Sequence, residues 1–97
     1  MNLLTINQSF DISEHKIKRL YQQEIFRHNH QDQFNRLTNR EKQIIYLLAS
    51  GLSAKHIANK LFISIHTVLQ HKKNIKRKLE VDSLPKLTQY ALAFDLI

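Results

Sequence analysis

Apolar and polar positions along the chain repeat at three- and four-residue steps, and no stretch alternates at the two-residue period of a strand. The first helical pattern runs from about Ile12 to Arg27, with Ile17, Leu20, Tyr21 and Ile25 forming a single narrow stripe. Asp11 followed by Glu14 has the spacing of a capping box at its start. Residues 28–35, HNHQDQFN, are polar apart from Phe34 and read as a linker. A second capping box, Thr38 with Glu41, opens the next helix, with Leu37 placed as a hydrophobic staple. Ile44, Ile45, Leu47 and Leu48 give that helix a broad core face up to Ser50. Gly51, the only glycine, stands where a helix can end in the left-handed conformation. Ser53 caps a short helix over Ala54 to Leu61, with Ile57, Ala58 and Leu61 inward. Phe62 and Ile63 connect it to a helix capped by Ser64 and ending at Leu79. Ser83 and Pro85 then start a last helix whose Leu84, Leu87, Tyr90, Ala91 and Phe94 cover more of the circumference than one docking face needs. The surplus is the expected contact with a second subunit. The fold class is all-α.

Charge sharpens this picture. The formal net charge is +7, and its distribution is uneven. Residues 1–37 hold five basic and four acidic side chains, whereas residues 38–97 hold ten and four, with no acidic residue between Glu41 and Glu80. A one-sign block of that length attracts phosphate backbones or anionic surfaces. Ninety-seven residues support one compact core. The absence of cysteine excludes disulfides, thiolate metal sites and cysteine catalysis. MNLLTINQSF lacks a basic leader with a long apolar run, and no segment approaches the roughly 18 apolar residues of a membrane span. The expectation is a cytoplasmic protein without a membrane partner.

The helix from Ser64 to Leu79 joins pattern and charge. At about 100° per residue, Val68, His71, Ile75 and Leu79 share one face. His66, Leu69, Gln70, Lys73, Asn74 and Arg77 lie opposite, flanked by Lys76 and Lys78. Cationic heads around an amide, an imidazole and an apolar tip make a surface for reading a polyanion. His71, on the inward side, is expected to be packed rather than a ligand. His66 and His71 are five residues apart and point differently, and His28 and His30 sit in the expected linker, so no metal site or cofactor is expected. Glu41 is assigned to a cap, and no nucleophile, base and orienting group fall into a catalytic arrangement. The chain does not read as an enzyme.

LTNREKQIIYLLASGLSAKHIANKLFISIHTVLQHKKNIKRKLEV resembles the LuxR-type helix-turn-helix domain, also called GerE or NarL/FixJ type, of bacterial transcription regulators. The resemblance rests on the joint spacing of Leu37, Thr38, Arg40, Glu41, Leu48, Ala49, Gly51, Ser53, Ile57, Ala58, Ile63, Ser64, Thr67, Val68, His71, Ile75, Lys78 and Leu79. It divides the chain into residues 1–36, an N-terminal helix and linker, and residues 37–97, a four-helix domain. It implies that the domain's third helix enters the major groove, with Leu69, Gln70 and Lys73 approaching base edges. Phosphate contacts are implied for Ser53, Lys55, Ser64, Thr67, Lys76 and Arg77, and dimerisation for the fourth helix. Leu69 departs from the Lys or Arg usual at its position. Leucine offers only apolar contact, for instance to a thymine methyl, which leaves adenine to Gln70 and guanine to Lys73.

The expected function is therefore a sequence-specific DNA-binding transcription regulator acting as a homodimer on double-stranded DNA, with a regulatory or sensor protein as a further partner. An alternative is a helix-turn-helix module that binds another regulator through Leu69 and the last helix. A region of a sigma factor shares the first half of the pattern, but TVLQH argues against it.

Overall fold

The computed structural model describes residues 3–97, with side chains from Ser13 onward. Among the described residues all regular structure is helical: α1 (Leu3–Asn35), α2 (Asn39–Ala49), α3 (Ala54–Leu61), α4 (Ile65–Leu79) and α5 (Leu84–Ala93). No helix among them is long and apolar enough to cross a membrane.

Local chemistry sets the ends of α2 to α5. The Thr38 hydroxyl accepts from the Glu41 amide at 3.0 Å while Glu41 Oε1 accepts from the Thr38 amide at 2.8 Å, so both halves of the capping box are made. Gly51, at φ +95°, closes α2: its amide donates to the Leu48 carbonyl and the next amide, of Leu52, donates to that of Leu47. Ser53, Ser64 and Ser83 cap α3, α4 and α5 through their hydroxyls, and Pro85 lies in the first turn of α5. Phe62 and Glu80 end α3 and α4 in the left-handed region at φ 58° and 56°. The core is the meeting of the inward stripes, with Ile44, Ile45, Ile57, Val68, Ile75 and Ala91 fully sealed from solvent.

Two expectations change in α1. The helix does not begin near Ile12; the backbone is helical from Leu3, and the Asp11 side chain lies outside the described residues. Residues 28–35 are not a linker but its last two turns. The reason is tertiary: Phe26, His30 and Phe34, four residues apart, form one face that docks on α5. Phe26 meets the Tyr90 ring edge-on at 4.9 Å, and Phe34 stacks on Phe94 at 4.0 Å. His30 Nδ1 donates to the Phe26 carbonyl at 2.7 Å, and since a carbonyl only accepts, that nitrogen carries the proton. Arg27 closes the seam, donating from Nε to the Ala93 carbonyl at 2.8 Å and pairing with Asp95 at 2.9 Å.

This docking also corrects the reading of α5. Leu87, Tyr90 and Ala91 are buried within the chain and unavailable to a second subunit, and Phe94 is partly covered by Phe34. The wide apolar circumference of α5 serves two neighbours, α2 on one side and α1 on the other. Leu84 alone of the five expected contacts stays exposed, and Leu92 joins it on the outer side.

Candidate nucleic-acid interface

α3 and α4 pack against each other across the three residues from Phe62 to Ser64, forming the helix-turn-helix. The turn has no glycine; Phe62 takes the left-handed conformation instead, with its ring 94% exposed. Val68, Ile75 and Leu79 hold α4 on the core, and this fixes which side chains face out. His66, Leu69, Gln70, Lys73 and Arg77 are exposed along one side of the helix, while Thr67, His71 and Asn74 are half-buried. All three expected base-reading residues, Leu69, Gln70 and Lys73, therefore project from the same open face. His66 belongs with them by position, and Ile65, also exposed, flanks Leu69 one turn earlier. Neither stood in the expected contact set, although the wheel that placed Gln70 and Lys73 outward also placed His66 there.

The expected phosphate contacts fall at the rims. Ser53 and Lys55 stand exposed at the start of α3, and at the start of α4 Ser64 is exposed with Thr67 half-buried beside it. Lys76 and Arg77 are exposed near the far end of α4, about 20 Å along its axis at 1.5 Å per residue. The two serine caps leave donor ends of α3 and α4 open to solvent: Ser64 Oγ accepts the Thr67 amide at 3.0 Å, and Ser53 Oγ that of His56 at 3.3 Å. Uncapped amides at such ends favour anions.

Lys78 is not part of the exposed cationic face. Its ammonium turns inward to Glu41 Oε1 at 2.6 Å, joining the far end of α4 to the start of α2. Glu41 is 2% exposed and is the one buried charged residue among those described. Burial by itself pushes the Glu41 carboxyl up, but the Lys78 hydrogen bond and charge, with the Thr38 amide, outweigh it and hold the group below its ordinary value. Tyr90 supports the same end of α4, its hydroxyl donating to the Leu79 carbonyl at 3.3 Å; burial, then Glu80, raises its pKa and keeps the donor protonated. The nearby Asp82 is paired with Lys86 at 2.9 Å, and that hydrogen bond and charge hold its carboxyl below the usual range. With Glu41 and Asp82 so occupied, Lys55, Lys73, Lys76 and Arg77 face solvent without a salt-bridge partner among the described residues.

The sequence family described as bacterial regulatory proteins, luxR family, matches residues 35–91. The oxygen regulatory protein NreC of Staphylococcus carnosus (strain TM300) is 46% identical over 66 residues, covering 68% of this chain and 30% of that protein. NreC of Staphylococcus haemolyticus (strain JCSC1435) gives the same values, and NreC of Staphylococcus aureus (strain MRSA252) is 45% identical over 69 residues, 71% of this chain and 32% of the relative. The chain thus spans under a third of the length of these relatives. Matched over more than half its residues, in the segment that folds into α2 to α5, the chain belongs to the luxR family of bacterial regulatory proteins.

Proposed function

We propose that this chain is a DNA-binding transcription regulator that inserts α4 into the major groove and works as a dimer on two half-sites. The observation that carries the reading is the outer face of α4, where Leu69, Gln70, Lys73 and Arg77 project together and no acidic residue intervenes between Glu41 and Glu80. Ser53, Lys55, Ser64, Thr67, Lys76 and Arg77 would set the register on the phosphates, and Leu69, Gln70 and Lys73 would read base edges. Gln70 suits adenine, Lys73 guanine, and Leu69 a thymine methyl. In this reading residues 37–97 are the binding unit and residues 1–36 its N-terminal helix, and the protein works in the cytoplasm. In this reading a regulatory or sensor protein supplies the signal, in keeping with the relatives' printed name, oxygen regulatory protein.

Affinity would come chiefly from release of counterions, so log affinity for a random duplex should fall linearly and steeply with log salt. Lys73→Ala should weaken the specific site by about 1–3 kcal/mol and relax one base position, whereas Lys76→Ala should weaken all duplexes alike. Fluorescence anisotropy on selected and scrambled duplexes checks both. Equal losses on both duplexes for both variants would sink the assignment of roles. Weak binding at low salt by the folded protein would favour a helix-turn-helix that binds another regulator.

A further inference from the structure

A cavity of about 220 Å³ lies where the end of α2, the start of α3, the far half of α4 and the start of α5 meet. Leu48, Leu52, Ile75, Val81, Leu84 and Leu87 form its apolar wall. Two small residues leave the space open. Gly51 has no side chain, with nothing within 4 Å of where its Cβ would stand, and Ala54 contributes a single methyl. Protein interiors hold few voids larger than one water, whose share of liquid volume is about 30 Å³. An apolar cavity of about 150 Å³ holds benzene, so this one has room for a ring and a short arm.

Among the described residues, the charged groups on the lining are Lys72 and Lys76, one turn and about 6 Å apart along α4. Like charges at that spacing repel. Neither lysine has a salt-bridge partner among the described residues. Asp82, the carboxylate that senses Lys76, is held by Lys86 at 2.9 Å. Lys72 is half-buried and lies about 140° round the helix from Arg77 and about 160° from Gln70, away from the face proposed to read bases. The Ser83 hydroxyl, also on the lining, accepts from the Lys86 amide at 3.4 Å and keeps its own proton to donate.

We infer that this cavity binds a small amphipathic carboxylate, with its apolar body against the leucine wall and its carboxylate between Lys72 and Lys76. Size and sign select that occupant. The apolar wall gives a purely ionic ligand nothing to bury against, and the two unpaired ammonium groups favour an anion over a neutral hydrocarbon. The volume admits a ring with a short arm and excludes a long acyl chain or a folded segment of another protein. The site lies beyond the DNA reading and touches it only through Lys76, which that reading gives to a phosphate. An occupant therefore takes one phosphate contact from the duplex.

The test titrates 3-phenylpropanoate, to about 10 mM, into the full chain and follows amide chemical shifts by NMR. Saturable shifts are expected at Leu52, Ala54, Val81 and Leu84, with a Kd of about 1 mM or tighter. The amide 3-phenylpropanamide, which has the same body without the charge, should bind at least threefold more weakly, and Lys72→Gln should narrow that difference. Leu84→Glu sets a carboxylate at the mouth and should raise the Kd of 3-phenylpropanoate at least fivefold. Leu84 is exposed and Lys72 is half-buried and unpaired, so the urea midpoint should hold in both variants. The absence of saturable shifts, an amide that binds as tightly as the carboxylate, or a Leu84→Glu chain that binds like the parent overturns the inference. So does a Lys72→Gln chain that loses duplex affinity while the parent binds no 3-phenylpropanoate, since the lysines then serve DNA phosphates alone. Anisotropy on a random duplex keeps the two readings apart. Saturating 3-phenylpropanoate should lower duplex affinity about fivefold at physiological salt, the worth of one phosphate contact. A duplex affinity unmoved by the bound carboxylate places it off Lys76 and overturns the site, whereas a chain that binds 3-phenylpropanoate but no duplex supports the cavity and removes only the DNA reading.

Discussion

Lys78→Met tests whether the buried ion pair between α2 and α4 anchors the recognition helix. The substitution keeps the apolar stem and removes the ammonium that sits 2.6 Å from Glu41. The carboxylate, whose side chain is 3% exposed, then keeps only the Thr38 amide as partner for its charge. Breaking a fully buried pair costs about 3–5 kcal/mol. The Lys78 side chain is itself 24% exposed, so water reaches one end of the pair and a cost of about 2–3 kcal/mol is expected. For a domain of this size that lowers the Tm by roughly 10–20 °C. Glu41→Gln preserves the capping geometry and should cost about 1–2 kcal/mol. The double variant should recover about 1–2 kcal/mol relative to the sum, the signature of direct coupling. The assay is urea unfolding followed by circular dichroism at pH 7, and a Lys78→Met loss under about 0.5 kcal/mol refutes the argument. Acid supplies a second arm. Because the folded Glu41 carboxyl lies below its unfolded value of about 4.3, its stabilisation is complete above that value and lost as pH falls through the folded one. Stability should therefore decline below about pH 4.3 less steeply in Glu41→Gln than in the parent.

Two further substitutions separate local from tertiary terms. Phe62→Gly removes a ring that is 94% exposed and relieves a left-handed backbone that costs a side chain about 1–2 kcal/mol, so after the entropy glycine adds to the unfolded chain it should stabilise by about 0.5–1 kcal/mol in urea melts; a destabilised variant would mean that the ring contributes to the fold. Phe34→Ala removes the stack on Phe94 and should cost about 3 kcal/mol while releasing the last two turns of α1, visible as faster amide hydrogen exchange over residues 26–35 with α4 protected as before; unchanged exchange there would show that these turns need no docking.

Much of this protein is legible in the sequence because α2 to α5 are bounded by interactions between residues close in the chain. Thr38 with Glu41, Ser53, Ser64 and Ser83 at their caps, and Gly51 at φ +95° each act over a few residues, so spacing alone places the ends. The outward face of α4 was legible for the same reason: its buried residues Val68, Ile75 and Leu79 follow one helical stripe, which leaves Gln70, Lys73 and Arg77 opposite. What only the tertiary structure decided involves partners far apart in the chain. Residues 28–35 look like a linker because their apolar content is little more than Phe34, and they are helical because Phe26, His30 and Phe34 find α5 some sixty residues later. That docking turns Leu87, Tyr90 and Ala91 from a presumed subunit contact into core. Lys78 reads as one more exposed cation, yet it pairs with Glu41, 37 residues earlier, since a buried carboxylate demands a charge and, among the described residues, the fold brings only that one into a salt bridge with it. Local bonds announce themselves in spacing; contacts closed by the packing of helices do not.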